Sequence, residues 1–389
     1  MKTKDLTLKE ITPESIYIHI PFCKTKCPYC DFASWANKEN LIERYFDSLI
    51  FEIRSKCEAY MNLGCSGKSR LATTIKTIFI GGGTPSLISP EYYQKLFKEL
   101  NKFFTISKNC EITLELNPGT AKEEYLRGYL NLGINRISIG AQSFNEKILE
   151  TLGRKHSVDD TLESIEKIKS AGFTNFSLDL IYSVPGMTKE IWIESINKAL
   201  ELNPKHISAY SLTIESGTPF EHTYKNKALL PTDDLSFEFY IDLCNTLEKH
   251  GFVHYEVSNF AKPGFESKHN LTYWLAKEYY AFGTGAHRYI NGLRTSNLKD
   301  FEAYITYPNW EIINDYPIDY EFEKIMLSSR LNQGFDIKLI ERMTSKDPRY
   351  IRDVLKDLSI EGFLELSEDK IHLTDRGMFM NNEIFLKLI

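Results

Sequence analysis

The sequence predicts an α/β protein with a parallel sheet, followed by a small α+β module. Three observations support this fold class. Strand and helix patterns alternate six times, the strands are rich in apolar and β-branched residues, and the pattern changes after about residue 290. The pattern alone does not decide whether the six strand–helix units close into a full TIM-like barrel or form a partial one.

The strands are predicted at Ser15–Phe22, Ile75–Ile80, Glu111–Leu116, Arg136–Gly140, Asn175–Tyr182 and His206–Ile214. Helical periodicity lies between them. The first predicted helix carries one apolar face, formed by Ile42, Tyr45, Phe46, Leu49, Ile50 and Ile53. Ser89 and Pro90 predict the start of a second helix, since Ser is a common cap and Pro fits the first turn. Between this first helix and the second strand, Leu63–Thr74 is rich in Gly and Ser and predicts a surface excursion.

We predict three segments: a core over residues 1–290, a connection over 291–319 that contains Pro308 and Pro317, and a C-terminal module over 320–389. In this module, helices are expected at Tyr320–Asn332 and around Ile351–Leu358, ending near Gly362. A hairpin then follows over residues 363–373. Helices with a hairpin are typical of a winged-helix module. Residues 321–389 hold 11 Lys or Arg and 13 Asp or Glu, which argues against DNA binding.

The composition narrows the class of protein. Hydrophobic residues make up 42% of the 389 residues, and the net charge is -6, so we expect a globular protein that binds no nucleic acid. The first fifteen residues lack the apolar core of a signal peptide, and no apolar run approaches the length of a membrane span. Seven cysteines cannot all pair with one another. We therefore expect a reducing, cytoplasmic location, where clustered cysteines indicate metal or redox chemistry.

The strongest motif is a cysteine loop directly after the first strand, in which Cys23, Cys27 and Cys30 fall within eight residues. Thiolates are the usual ligands of iron–sulfur clusters. Three cysteines can hold three irons of a four-iron cube and leave one iron open to another ligand. The alternative is structural zinc, which needs a fourth ligand from His19 or a distant cysteine.

Further candidate residues lie at the ends of the predicted strands. Gly81, Gly82 and Gly83 follow the second strand, and glycines permit a close approach of the backbone to a ligand. Glu115, Gln142 and Asp179 end the next three strands. Because functional residues of parallel α/β barrels gather at the carboxyl ends of strands, these positions predict one common site. The alternatives are a plain tight turn or a phosphate loop, although the motifs of a nucleotide loop are missing.

The cysteine loop followed by the glycine turn resembles the radical S-adenosylmethionine (SAM) superfamily. The resemblance implies a partial (βα)6 barrel and a [4Fe-4S] cluster on Cys23, Cys27 and Cys30, with SAM on the open iron. It also implies the residues that surround SAM, which are Tyr17, Tyr29, Gly82, Gly83, Thr84, Glu115, Gln142, Arg154, Asp179 and Thr213.

Within this superfamily the chain resembles the oxygen-independent coproporphyrinogen III oxidase branch over nearly its whole length. The segments that carry this resemblance are Tyr17–Cys23, Gly81–Pro85, Glu115–Pro118, Gly140–Phe144 and Asp179–Gly186. The branch contains oxidative decarboxylases of heme synthesis and HemW-type heme chaperones. Three features favour the chaperones, and the first two concern the cysteine loop and the segment before it. Phe32 stands where the decarboxylases carry a further cysteine, and only 22 residues precede Cys23, whereas the decarboxylases have a longer N-terminal extension.

The third feature is the segment His269–Trp274, which matches the HNxxYW motif and resembles the heme site of the chaperones. The resemblance implies heme contacts by His269, Tyr273 and Trp274, because imidazole is a suitable axial ligand of heme iron and aromatic rings pack on the macrocycle. Three alternatives remain. His269 can be a capping residue, Tyr273 and Trp274 can be core residues, and His287 is a competing ligand. We expect the motif at the edge of the barrel, between the two folded regions.

The resemblance implies a binding and delivery protein that passes heme to acceptor hemoproteins, including acceptors at the membrane. The second hypothesis is an enzyme in which a SAM-derived radical abstracts hydrogen from a propionate of coproporphyrinogen III and carbon dioxide leaves. A third is radical chemistry on an unrelated substrate. The sequence leaves open whether SAM is cleaved, which hemoprotein accepts the heme and whether the chain forms a homodimer.

Overall fold

The computed structural model describes residues 13–63, 71, 73–120, 122–308, 311–313, 320–343, 346–367 and 370–388. Most of the predicted excursion Leu63–Thr74 and the proline at 317 lie outside these residues. No helix in the described part of the chain is long and apolar enough to cross a bilayer.

The strands are β1 (Ser15–Ile20), β2 (Phe22–Cys23), β3 (Trp35–Ala36), β4 (Thr74–Gly82), β5 (Thr105–Leu116), β6 (Arg136–Gln142), β7 (Phe176–Tyr182), β8 (His206–Ser211), β9 (Val253–Glu256), β10 (Asn259–Ala261), β11 (Tyr280–Phe282), β12 (His287–Ile290), β13 (Leu293–Asn297), β14 (Glu311–Ile313), β15 (Phe335–Asp336), β16 (Leu364–Leu366) and β17 (Lys370–Leu373).

The α-helices are α1 (Ile42–Leu63), α2 (Pro90–Phe103), α3 (Glu123–Asn131), α4 (Glu146–Thr151), α5 (Val158–Ser170), α6 (Lys189–Glu201), α7 (Pro219–Thr223), α8 (Asp233–Lys249), α9 (Lys268–Trp274), α10 (Phe301–Thr306), α11 (Tyr320–Ser328), α12 (Ile337–Met343), α13 (Pro348–Ile360), α14 (Asp375–Phe379) and α15 (Asn381–Leu388).

A nine-stranded sheet forms the centre of the fold, in the order β11-β1-β4-β5-β6-β7-β8-β10-β9. The six strands from β1 to β8 in this order are parallel, β11 joins β1 in parallel, and β10 and β9 are antiparallel additions. Among the described residues the two edge strands are not hydrogen-bonded to each other, so the sheet is open. The expectation of a central parallel sheet built from six strand–helix units is confirmed.

The two faces of the sheet differ in chemistry. On β1, Ile16, Ile18 and Ile20 are fully buried and belong to the apolar core that also contains the buried face of α1. The alternate residues Ser15, Tyr17 and His19 point to the opposite face, because successive side chains of a strand alternate. We call this second face the inner face. It carries many polar residues, and it ends at the cysteine loop.

Helix α9 lies on the inner face near the amino-terminal ends of the strands. The Thr272 hydroxyl is 2.9 Å from that of Ser15 on β1, and His269 Nδ1 is 2.9 Å from the Thr77 hydroxyl on β4. The His269 amide donates to Glu111 on β5 at 3.2 Å. The segment therefore covers the inside of the sheet rather than its edge. Its Trp274 end contacts Arg330, which follows α11, so α9 also lies next to the C-terminal module as expected.

Two smaller sheets follow the core. Strands β12, β13 and β14 form an antiparallel sheet. Of these, β13 and β14 lie in the predicted connection over residues 291–319, whereas β12 ends the predicted core. Strands β15, β17 and β16 form another, and the predicted hairpin is its β16–β17 pair. The first predicted helix of the C-terminal module ends at Ser328 rather than Asn332, and the second extends to Ile360.

A buried carboxylate ties α1 to the segments that follow β11. Glu52 is fully buried and accepts hydrogen bonds from the Gly283 amide at 2.9 Å, the Asn297 amide at 2.7 Å and the Tyr304 hydroxyl at 2.6 Å. Lys56, one turn along the helix, forms an ion pair with it. All four lone-pair directions of the carboxylate are therefore used, which offsets the cost of burying the charge.

We predict that Glu52→Gln strongly destabilises the protein. The amide would turn a donor toward groups that are themselves donors, and the Lys56 charge would lose its partner. Breaking one side of a buried pair costs about 3–5 kcal/mol. The urea midpoint of unfolding measures the change, and Glu58→Gln on the exposed face of the same helix is the matched control. Equal midpoints for the two variants would contradict this account.

Candidate functional site

The cysteine loop runs from Cys23 to Ser34 and is held at both of its ends. Strands β2 and β3 pair in parallel, so that Cys23 lies opposite Ala36. His19 Nε2 is 2.8 Å from the Ala33 carbonyl, and its Nδ1 is 2.9 Å from the Tyr17 hydroxyl. A carbonyl only accepts, so Nε2 carries the proton and Nδ1 accepts from Tyr17. Burial lowers the pKa of His19 to about 4, which keeps this ring neutral.

The three thiols of the loop lie along the wall of one cavity of about 660 Å³. The Cys30 amide donates to the Cys27 carbonyl at 3.1 Å, which turns the chain between these two ligands. Burial raises the pKa of the Cys23 and Cys30 thiols, and the neighbouring thiols raise it further. Three thiols in one partly enclosed turn are a donor set for a thiophilic metal centre.

The glycine turn at the end of β4 lies against the loop. Gly82 has φ of 119°, and a Cβ added to it would lie 2.6 Å from the ring of His19. At Gly83 an added Cβ would lie 3.0 Å from Cys23 Sγ and 2.6 Å from the Phe22 carbonyl oxygen. No other residue fits these two positions without moving the loop, so the glycines are required by close approach.

A chain of hydrogen bonds connects Cys23 to Cys27 through the residues that follow β4, β5 and α4. The Thr84 hydroxyl donates to Cys23 Sγ at 3.6 Å and accepts from the Asn117 amide at 2.8 Å. Arg154 donates to the Asn117 side-chain oxygen at 2.7 Å and to Cys27 Sγ at 3.4 Å. The guanidinium therefore places a positive charge beside Cys27.

Two carboxyl groups lie deeper in the cavity. Glu115 at the end of β5 accepts from the Gly82 amide at 2.9 Å, and Asp179 on β7 accepts from the Ser138 hydroxyl at 3.0 Å. Burial raises the pKa of Glu115 to about 7, against the opposing effect of the Gly82 amide, and the charge of Asp179 raises it further. Burial likewise raises the pKa of Asp179. The pair suits a ligand that brings an amino group or hydroxyls to compensate the charge.

Nine of the ten residues predicted to surround SAM line this cavity, namely Tyr29, Gly82, Gly83, Thr84, Glu115, Gln142, Arg154, Asp179 and Thr213. Gln142 has φ of 65°, which turns the chain at the end of β6. Tyr17 is not part of the lining. Its ring packs on Phe79, and its hydroxyl lies 2.9 Å from His19 Nδ1. Because the other nitrogen of His19 contacts the Ala33 carbonyl, Tyr17 supports the cysteine loop through His19.

The predicted heme residues lie apart from the cavity lining. His269 is 1% exposed, and its Nε2 is 2.8 Å from the Tyr273 hydroxyl while its Nδ1 faces Thr77. Its ring also packs on Phe79. Trp274 is half-buried, with the Arg330 guanidinium 4.7 Å from its ring centre. The competing candidate, His287 on β12, is exposed.

Polar residues of the cavity wall that were not predicted from the sequence include Asn117, His156 and Tyr210. Asn117 joins Thr84 to Arg154, and His156 Nε2 lies 3.2 Å from the Ala141 carbonyl. Asn117 and Tyr210 come at or directly after strand ends, in the pattern that identified Glu115. The Asn-Pro pair at 117–118 was a usable signal that also fits an ordinary turn.

The cavity fits the two cofactors that the resemblance implies. The three thiols would provide three cluster ligands, and the glycine turn leaves space beside Cys23 that a side chain would fill. Arg154 and the two carboxyl groups offer partners for the carboxylate, amino and hydroxyl groups of an amino-acid nucleoside.

Comparisons with known proteins identify the superfamily and the fold of this chain. The radical SAM superfamily matches residues 69–199, which begin after the cysteine loop, and the HemN C-terminal domain matches residues 316–380. A solved structure of coproporphyrinogen III oxidase (HemN) from Escherichia coli aligns with a TM-score of 0.81. The alignment covers 98% of this chain and 91% of that one at 20% identity, so it shows a shared fold. The fold is that of a radical SAM protein.

Full-length relatives narrow the class to one family. The heme chaperone HemW of Bacillus subtilis is 37% identical, over 96% of this chain and 98% of that protein. That of Lactococcus lactis is 35% identical over 97% of both chains. That of Escherichia coli is 34% identical over 97% of this chain and 99% of its own length. The chain therefore belongs to the HemW family.

We predict that replacing Cys23, Cys27 or Cys30 by Ala prevents assembly of an iron–sulfur cluster. Each change removes one of three ligands, whereas the buried Cys110 makes its contact with a backbone carbonyl elsewhere. Anaerobic reconstitution, followed by iron and sulfide analysis, should give about four of each per chain in the wild type and in the control Cys110→Ala. A full cluster in a variant that lacks all three of these cysteines, or zinc bound in place of the cluster, would refute the assignment of an iron–sulfur cluster to this loop.

Proposed function

We propose that this protein is a heme chaperone that holds heme together with a SAM-ligated [4Fe-4S] cluster and transfers heme to acceptor hemoproteins. The observation that carries the proposal is the similarity to curated heme chaperones over nearly the full length of both chains. A shared superfamily domain alone would not distinguish a chaperone from an enzyme, because one fold hosts many functions.

The residue at position 32 supports the same function. Phe32 follows the third cysteine of the loop, at a position where the decarboxylases of the branch carry a further cysteine, and its side chain is 58% exposed at the cavity wall. A phenyl ring supplies no thiol and instead presents an apolar surface. Such a ring suits contact with a flat ligand better than radical chemistry.

In this proposal Cys23, Cys27 and Cys30 hold the cluster, and SAM binds the open iron. When both are bound, the cluster can supply the electron for a one-electron reduction of SAM. The protein contributes binding and orientation. Arg154 pairs with the SAM carboxylate, while Glu115 and Asp179 accept hydrogen bonds from its amino and hydroxyl groups. Tyr29, Gly82, Gly83, Thr84, Gln142 and Thr213 shape the wall.

We propose further that the motif on α9 contributes to heme binding. Burial lowers the pKa of His269 to about 3, so the ring is the neutral imidazole that binds iron. In the structure its Nε2 faces the Tyr273 hydroxyl. Axial ligation would therefore require that the ring exchange this hydroxyl for heme iron. Trp274, which is half-buried at the end of α9, would pack on the macrocycle.

The remaining parts of the proposal concern organisation. We propose a core over residues 1–290, a connection over 291–319 and a C-terminal module over 320–389. The protein would act in the cytoplasm, deliver heme to acceptors that include membrane-associated hemoproteins, and bind no nucleic acid. A homodimer is compatible with this function.

The second candidate is an oxygen-independent coproporphyrinogen III oxidase. The cavity favours it in one respect, since the loop thiols, the glycine turn and the acidic pair that the resemblance associates with radical generation line one wall. This function would require turnover of coproporphyrinogen III with release of carbon dioxide, and SAM would be consumed.

We predict that the reconstituted protein binds heme and does not decarboxylate coproporphyrinogen III. Heme binding is measured by absorption titration, and turnover by product analysis with SAM and a reductant under anaerobic conditions. The same samples are analysed for iron and sulfide, so that an unloaded protein is not mistaken for an inactive one. Rapid turnover would replace the chaperone proposal with the oxidase.

We also predict that His269→Ala weakens heme binding by about tenfold or more, equivalent to about 1.4 kcal/mol, because an iron ligand is lost. Truncation of Tyr273 or Trp274 should have a smaller effect through lost packing. His206→Ala is the matched control. His206 is also a buried histidine, with ring nitrogens 2.8 Å from Ser177 and Tyr255. Unchanged heme affinity and transfer in all three motif variants would exclude the motif from the heme site.

A further inference from the structure

A second group of metal-binding side chains lies outside the cavity, where α8, β9 and α14 meet. Cys244 Sγ is 4.0 Å from His254 Nδ1, and this nitrogen is 2.9 Å from Asp375 Oδ1. One ligand atom from each residue lies within 4.8 Å of the other two. None of these residues lines the cavity that contains the cysteine loop.

The surroundings of His254 favour a proton on one ring nitrogen. Nε2 faces the Val257 carbonyl at 3.4 Å and the Tyr240 hydroxyl at 3.3 Å, and Tyr240 donates its own proton to the same carbonyl at 3.0 Å. Because the carbonyl can only accept, it favours the tautomer with the proton on Nε2. In this tautomer the lone pair of Nδ1 points at the Asp375 carboxylate, and a cation between these two atoms would be bound by both of them.

The same geometry excludes a nucleophile–histidine–carboxylate relay. Such a relay uses opposite nitrogens of the imidazole, one for the nucleophile and one for the carboxylate. Here Cys244 and Asp375 both approach Nδ1. Side chains that converge on one nitrogen are instead arranged as the ligands of a single metal ion would be.

We propose that Cys244, His254 and Asp375 bind one zinc ion, or a similar thiophilic divalent cation. A thiolate, an imidazole and a carboxylate are a common zinc donor set, with bonds of about 2.0–2.3 Å. Tetrahedral geometry then separates the ligand atoms by roughly 3.3–3.7 Å. The observed separations of 4.0 Å and 2.9 Å lie on either side of this range and require shifts of a few tenths of an ångström.

The site has further features of a zinc centre. A zinc-ligating histidine commonly donates its other ring N–H to a backbone carbonyl, as Nε2 does toward Val257. The ring is also held in plane by Phe260, which stacks on it at 4.3 Å between centroids. The Asp375 side chain is 44% exposed, so water can reach the ion as a fourth ligand.

The three ligands come from distant parts of the chain. Cys244 lies on α8, His254 lies on β9 at the sheet edge, and Asp375 begins α14 in the C-terminal region. A bound ion would therefore fasten the C-terminal helices to the edge of the central sheet. Binding releases the Cys244 thiol proton, because the thiolate is the ligand.

The test is a Co²⁺ titration of the full-length chain. Because the cysteine loop also binds metals, Cys23, Cys27 and Cys30 are first replaced by Ala. One equivalent of Co²⁺ should then produce a thiolate-to-cobalt charge-transfer band that Zn²⁺ removes. Cys244→Ala in this background should abolish the band, Asp375→Asn should weaken affinity about tenfold or more, and Cys110→Ala should leave both unchanged.

The cluster-loaded wild-type protein provides the second measurement. Zn²⁺ should raise its midpoint of thermal unfolding, and the same Zn²⁺ concentration should raise that of cluster-loaded Asp375→Asn by less. Asp375 is half-exposed, so this variant remains informative even where Cys244→Ala fails to fold. Absence of the cobalt–thiolate band, its persistence in Cys244→Ala, or unchanged metal affinity in Asp375→Asn would reduce the group to an ordinary His254–Asp375 ion pair and overturn the proposal.

Discussion

The site depends on the close approach of two backbones, where the end of β4 passes the cysteine loop. The Gly83 amide donates to the Ile20 carbonyl and the Thr84 amide to the Phe22 carbonyl, so the turn and the loop are joined by the main chain itself. A side chain at Gly82 or Gly83 would separate them. Because Thr84 and Gly82 then lead to Asn117 and Glu115, the arrangement of the neighbouring strand ends follows from this contact.

Much of the cavity could be predicted because parallel strands bring their carboxyl ends to one edge. Glu115 and Gln142 lie at the ends of β5 and β6, and Asp179 lies in the middle of β7 rather than at its predicted end, yet the structure places all three in one wall. Their contact follows from topology and requires no knowledge of side-chain packing. Their roles toward a cofactor depend on the resemblance, since a carboxyl group at a strand end has several uses.

What the sequence could not supply are contacts set by long-range packing. The placement of α9 inside the sheet depends on pairs such as Ser15 with Thr272, which no local pattern encodes. The contact of the Tyr17 hydroxyl with His19, at 2.9 Å, is likewise one that the motif does not predict. Strands β12–β14 are three to five residues long, and β13 is largely polar, so their periodicity is weak beside that of the core strands.

The position of α9 also determines how ligands reach the inner face. Its contacts with Ser15, Thr77 and Glu111 fill the amino-terminal end of this face, while the cavity lies at the carboxyl ends of the strands. In the described part of the chain, a ligand of the acidic pair is therefore approached from the carboxyl ends of the strands, where the cysteine loop forms part of the wall. A ligand that fills this end would then also shield the two carboxyl groups from solvent.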